Sequence, residues 1–354
     1  MPYSNIDKPS KYFNTKLYTG NGSTQTITGL NFAPEWVWLK DRTSAYNHAV
    51  FDKVRGAEKR IFTNLTNAED TASDTLTAFN SDGFTLGSNV GINTNSNNYV
   101  SWNWDANGAG VSNNSGTITS TVSANTTSGF SIVSYTGNGS SSATVGHGLG
   151  VTPAMIILKA RAGTNAANNW FCWHKGLSAN NNISLNSTSA QFTTATASSG
   201  IINTSPTSTT FGFTAGSGGV INVNETSTTY IAYCFAEVKG FSKFGSYTGN
   251  GSTDGTFVYT GFKPAFVMLK ASSSTSQWGM LDNKRNTFNP TAKELQASLS
   301  DAETDYTNRI DILSNGFKLK TTTSQNNSSG VTYIYMAFAE QPLVGTNNVP
   351  ATAI

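Results

Sequence analysis

The residues able to do chemistry are few and scattered. His48, His147 and His174 are the three histidines, and no two are spaced as a chelating pair. His174 lies next to Trp173 and near Cys172, but a structural zinc site wants four such ligands. It reads as a strand-end histidine beside a buried cysteine. Cys172 and Cys234 read as small core residues, with a bridge between them left open. Glu237 and Glu340 each follow Phe-Ala, and Trp104-Asp105 stands at the corresponding place earlier in the chain. Asp52 and Asp282 also correspond, with His174 near the matching position. A glycosidase needs two facing carboxylates roughly 5–10 Å apart, and each of these places offers one acid. The expectation is structural pairing, for instance of Glu237 or Glu340 with Lys159 or Lys270. No nucleophile elbow, phosphate-binding P-loop, H-E-x-x-H or EF-hand pattern occurs. Gly20-Asn21-Gly22 and Gly137-Asn138-Gly139 open no helix, which an anion cradle needs, so they read as tight turns. The chain is therefore expected to have no catalytic residues, no metal and no cofactor.

The aromatic residues offer a second kind of chemistry. Trp36, Trp38, Trp102 and Trp104 alternate along strands, and Trp170, Trp173 and Trp278 stand in related stretches. Same-face tryptophans usually build core; turned outward, these seven would stack on sugar faces while Asn and Ser bond the hydroxyls.

The elements that position these residues come from an internal repeat. Tyr-Thr-Gly-Asn-Gly-Ser starts at Tyr18, Tyr135 and Tyr247. Each copy then reaches a proline-led apolar run ending in lysine, at 34–40, 153–159 and 264–270. A second apolar stretch follows, at 49–53, 170–175 and 278–282, and each copy closes on a Tyr-led stretch from Tyr99, Tyr230 and Tyr333. Period-two recurrence, as in Trp36/Trp38 and Tyr233/Phe235, argues strands. Asp82-Gly83 and Asn315-Gly316 read as two-residue hairpin loops with positive φ. Only 291–301, with Leu295 and Leu299 four apart, suggests a short helix. The fold class expected is all-β, with three tandem antiparallel β-sandwich domains, jelly-roll or immunoglobulin-like, of about 100 residues each. The expected boundaries are an arm at 1–12, sandwiches at 13–110, 128–240 and 241–345, a linker at 111–127 and a tail at 346–354.

Composition narrows the partners. Charged residues are 12% and net charge is +2, where globular chains average roughly 25% charged. A nucleic-acid partner would want a basic surplus, and no run of 18 apolar residues suggests membrane insertion. The first residues have no signal-peptide core. Pro2, Tyr3, Ile6 and Tyr12 are the apolar anchors of the arm, expected to attach by adding to a partner's sheet edge.

The repeated Tyr-Thr-Gly-Asn-Gly-Ser, the run Pro-Ala-Phe-Val-Met-Leu-Lys and the stretch from Tyr230 through Gly251 resemble tandem β-domain proteins of marine bacteriophages. Those proteins carry a domain of unknown function and are counted as virion structural or tail-fibre-like. The resemblance implies a non-enzymatic virion protein at the particle surface, tail-fibre or tail-associated, touching host-surface glycans. A capsid decoration protein docked on the head and a tail-attached polysaccharide depolymerase are the alternatives. It also implies other virion proteins and further copies of the chain as partners, synthesis in the host cytoplasm and release by lysis. The first copy departs most, with Trp36 and Trp38 in place of aliphatic residues.

Overall fold

The computed structural model describes residues 4–352 except 165, 194–199, 203–204, 217–218, 220–221 and 345–349. The protein is all-β, and the one α-helix among the described residues is the single turn Val90–Asn93. The named strands form five sheets and pair antiparallel throughout. Each copy contributes one large sheet. In the first, the strand order is Phe13–Thr19, Asn98–Trp104, Trp36–Asp41, Ala49–Asp52, Lys59–Phe62 and Asp70–Thr71. The second and third copies repeat this order around Met155–Ala162 and Phe262–Ala271.

Trp36–Leu39, Met155–Leu158 and Phe266–Leu269 are apolar at every position because both faces of each large sheet are covered. Successive side chains on a strand point to opposite faces. Val37 and Leu39 pack into a cluster within the first copy, under the short strands Gln25–Thr28, Gly83–Leu86 and Leu76–Asn80. Trp36 and Trp38 point the other way, into the largest buried cluster. That cluster is drawn from all three copies: Trp36 and Trp104 from the first, Ile157 and Phe235 from the second, Phe266 and Phe338 from the third. Clusters local to the second and third copies lie on the opposite faces of their large sheets.

Trp104, Phe235 and Phe338 occupy equivalent places, since each sits opposite the start of its copy's first strand or the residue matching it. Their ring centroids form a closed triangle with sides of 6.3, 6.0 and 5.7 Å. The copies are thus arranged about an approximate threefold axis, with an aromatic core on that axis.

The Tyr-Thr-Gly-Asn-Gly-Ser motif is spent on a local loop clamp. Tyr18, Tyr135 and Tyr247 stack on Tyr99, Tyr230 and Tyr333, with interplanar angles of 10°, 12° and 11°. A Cβ at Gly20, Gly137 or Gly249 would fall 2.1–2.2 Å from a backbone oxygen, so only glycine fits. Behind each loop lies a fully buried asparagine: Asn93, Asn224 or Asn327. Asn327 accepts from Asn250 N–H at 3.0 Å and donates to Asn250 Oδ1, Ser252 O and Thr321 O. Asn93 and Asn224 hold Asn21 and Asn138 in the same way.

Several expectations are corrected. Residues 291–296 form a strand, Thr291–Gln296, paired with Gly279–Asp282; Leu295 enters the shared core by strand alternation, not helical spacing. The segment 111–127 is no bare linker, because Val111–Asn113 and Ser120–Asn125 join the second copy's large sheet. The two hairpins form one residue earlier than read. Asn80 pairs with Gly83 and Leu313 with Gly316, and neither Asp82 nor Asn315 has positive φ. The glycines serve close approach instead: a Cβ there would lie 1.8 Å from Ile27 O and 2.1 Å from Val258 O. Cys172 and Cys234 are free, and they face different clusters from strands that flank Met155–Ala162 on opposite sides.

Replacing Asn327 by Ala strands buried polar groups in the third copy's loop and is expected to cost about 2–3 kcal/mol. Urea unfolding measures this; the exposed Asn67→Ala serves as the reference and should stay within about 0.5 kcal/mol.

Candidate functional site: the seams between the copies

Three seams join the copies in a closed ring. Glu69 N–H donates to Arg161 O (3.0 Å), Gln191 N–H to Ser272 O (2.9 Å) and Glu303 N–H to Arg42 O (3.0 Å). Two seams add a bidentate pair, Arg161 with Glu69 and Arg42 with Glu303. Indole N–H groups cross the seams as well, Trp170 to Phe62 O and Trp278 to Ser184 O, both at 2.9 Å.

The lysines that end the proline-led runs are fully buried at these seams. Lys159 Nζ donates to Thr66 O, Ala160 O and Ala166 O, and Lys270 Nζ to Thr188 O and Ala271 O. Thr66 and Thr188 belong to the preceding copy. Burial pushes the Lys159 and Lys270 ammonium groups down to about 7. Burial also lowers Lys40, to about 8, against the pull of Asp41, Asp301 and Glu303.

Asp52 and Asp282 hold buried ion pairs with Arg55 and Arg285. Each acid also takes a bond from a neighbouring copy, Tyr233 OH to Asp52 Oδ2 (2.8 Å) and Trp102 Nε1 to Asp282 Oδ2 (3.1 Å). The second copy has His174 there, with Nε2 bonded to Tyr335 O (3.1 Å) and Nδ1 accepting from Gly176 N–H (2.9 Å). These partners fix a neutral ring protonated on Nε2. Burial pushes His174 down to about 4, with a smaller contribution from Lys175 and opposing ones from Tyr335 O and Glu237. Burial lowers His48 and His147 too.

The seam acids differ in setting. Asp105 lies against buried Glu35, and burial followed by their mutual repulsion pushes Asp105 up. Glu35 accepts from Ala106 N–H at 2.8 Å and pairs with Lys53 at 3.5 Å. Glu35 is almost wholly buried, and the half-buried Asp105 accepts from Asn125 Nδ2–H at 2.7 Å. Glu237 pairs with Lys175 and Lys243, and Glu340 with Lys263; neither meets Lys159 or Lys270, which backbone carbonyls hold instead. A cleft of about 430 Å³ opens beside Glu237, lined also by Lys239, Lys243 and Tyr259. The matching cleft beside Glu340 holds about 40 Å³. Among the described residues, no group of three or more His, Cys, Asp or Glu side chains could hold a metal ion.

The tryptophans that would have met sugars if turned outward do not reach the surface. Trp36, Trp38, Trp102, Trp104, Trp170, Trp173 and Trp278 are all buried, so none presents a ring to a sugar. The arm is also turned inward. Ile6 lies in the shared core, and Tyr12 packs edge-on to Phe241. Ser4 Oγ bonds Ile6 N–H and O; Pro2 and Tyr3 fall outside the described residues. The seam lysines and loop asparagines went unread as a site. A signal for the asparagines exists, since Asn93, Asn224 and Asn327 each stand six residues before the Tyr that opens a closing strand.

Two outcomes are expected. Ile6→Ala leaves a cavity in the shared core and costs about 2–4 kcal/mol, so deletion of 1–12 lowers the thermal midpoint instead of leaving the fold untouched. Burial holds the folded His174 at about 4, below the ordinary value near 6.5. Its stability contribution is therefore complete above pH 6.5 and is lost as pH falls from 6.5 to 4. Thermal midpoints against pH should show a smaller acid loss in His174→Gln than in the parent protein.

Neither a curated protein nor a solved structure matches the chain. One family model does, over residues 8–342, a span that takes in all three copies. The chain belongs to the DUF7483 family, described as a domain of unknown function.

Proposed function

We propose that the chain is a non-enzymatic structural protein of a bacteriophage particle, tail-associated and displayed at the surface. On this reading it consists of three tandem antiparallel β-sandwich units of about 100 residues, set round one axis. The observation that carries it is where the repeated chemistry goes. The tryptophans are buried, and the seam lysines, the Asp–Arg pairs and the Tyr-Thr-Gly-Asn-Gly-Ser loops bond to the chain itself. An enzyme keeps some polar groups unspent in an open cleft, and the seam acids are committed to lysine or arginine, or in the case of Asp105 to Asn125. The resemblance of the repeats to marine phage virion proteins supports the particle setting. The arm, folded into the core, is no attachment device on this reading; contacts to other virion proteins and further copies of the chain fall to the outer faces.

The test is the copy number per virion by quantitative mass spectrometry against the major capsid protein. A tail-associated role gives a few to a few tens of copies. Hundreds would move the protein to the head as a decoration, and absence from purified particles would overturn the proposal.

A further inference from the structure

We infer that a pocket in the first copy, walled by Tyr46, Phe62 and the turn Val90–Asn93, binds one ring of a neutral saccharide. The inference deepens the display role proposed above and rests on that reading. The pocket holds about 230 Å³. That is less than the roughly 300 Å³ and more of a drug-sized site, and it suits a single pyranose. The other two copies put side chains into the matching space. Leu39, Leu158 and Leu269 pair alike with Ala49, Phe171 and Gly279. In the second copy the Phe171 ring therefore stands where the first carries only the Ala49 methyl, and it packs into that copy's own cluster. In the third copy Glu294 stands at the place of Arg60, since Leu295 pairs with Met280 as Ile61 pairs with Val50. Its carboxyl lies 3.3–3.4 Å from where a Cβ on Gly279 would be, and Gln325 reaches in to bond it. Gln325 stands two residues before Asn327, as Gly91 stands two before Asn93. With alanine at 49 and glycine at 91, the first copy keeps the space open.

The walls are held in place and their charge is spent. The Arg60 guanidinium lies over the Phe62 ring, 4.6 Å from its centroid. It donates to both Asp70 oxygens, at 3.2 and 2.6 Å, and to Asn89 Oδ1 at 3.3 Å. Asn89 Nδ2 donates in turn to Asp74. Arg60 is the charged group on the wall, and with its charge taken by Asp70 the pocket favours a neutral ligand. Two polar groups stay open. Among the described residues, the Tyr46 hydroxyl has no hydrogen-bond partner. Asn47 Oδ1 accepts from Asn64 at 2.7 Å, and Asn47 Nδ2 has no partner among them. Phe62, Ile92 and Val90 supply the apolar wall, with Val90 59% exposed at its edge. Apolar walls with a few convergent polar groups are the usual make-up of a small-molecule site. A pyranose matches both parts. Its C–H face meets the apolar wall, and its hydroxyls take the tyrosine hydroxyl and the amide. A purely apolar ring would desolvate those two groups without giving them partners.

A saturation-transfer NMR titration of the full chain tests this. The probes are the methyl glycosides of glucose, galactose, mannose and N-acetylglucosamine, with methyl glucuronide and phenol as the anionic and apolar comparisons. At least one neutral glycoside should bind at millimolar concentration, and added salt should leave its affinity unchanged, because no ion pair forms. Gly91→Gln, which installs the third copy's residue, should weaken binding about tenfold or more. Tyr46→Phe removes a hydroxyl that no described residue bonds, so it should keep the parent thermal midpoint and still weaken binding about threefold to tenfold. No binding of any neutral glycoside, tighter binding of the glucuronide or of phenol, or binding undiminished in either variant would overturn the inference. Virions that contain the protein at normal copy number while it binds no neutral glycoside would sink the pocket and spare the particle role. Absence from virions would sink the particle role whatever the titration gives.

Discussion

Trp104, Phe235 and Phe338 meet on the axis of the molecule, each within about 6 Å of the other two. Aromatic pairs at this spacing add to the gain from simple burial, but the geometric consequence matters more. One ring from each copy is needed to close the triangle, so no copy can bury its inner face alone. The large sheets are apolar on both sides because one side covers the copy's own small strands and the other meets its neighbours. Trp36 against Tyr233, and Trp102 against Phe266, extend the same contact outward from the axis.

The polar groups at the seams follow from that packing. Three sheet faces brought together leave backbone carbonyls in loops such as 65–69 and 185–191 without strand partners. Buried carbonyls need donors, and Lys159 and Lys270, at the ends of two of the proline-led runs, supply them across the seam, while Lys40 bonds Asp41 O and Ser44 O of its own copy. An ammonium held by neutral carbonyls carries a desolvation cost, which is why burial lowers its proton affinity. At Lys40 the cost is tempered by Asp41 and by Asp301 and Glu303 of the third copy. Asp52–Arg55 and Asp282–Arg285 pair before meeting the neighbouring copy, since an unpaired buried charge would be far costlier. His174 takes the second copy's place in that ring as a neutral donor and acceptor.

Much of this was legible in the sequence. Period and punctuation reveal the strands at Trp36, Met155 and Phe266, the closing strands and the glycine turns, because each depends on local residues. What could not be read is the assembly of the copies. Nothing local separates an alternating strand that faces water from one that faces a sister sheet, so for the seven tryptophans a sugar-facing role stayed open beside the core. Ile6 looked like a loose anchor for the same reason, although it lies in the cluster drawn from all three copies. The strand at Thr291–Gln296 was misread because Leu295 and Leu299 also fit a helical spacing; the pairing with Gly279–Asp282 decides it.

The central claim is that the three copies share one core and fold as one body. Differential scanning calorimetry of the full chain tests it most directly. A single endotherm whose calorimetric and van't Hoff enthalpies agree, and whose midpoint drops as a whole in Trp104→Ala, is the predicted result. Two or three resolved transitions, with Trp104→Ala moving one and leaving the others in place, would contradict it.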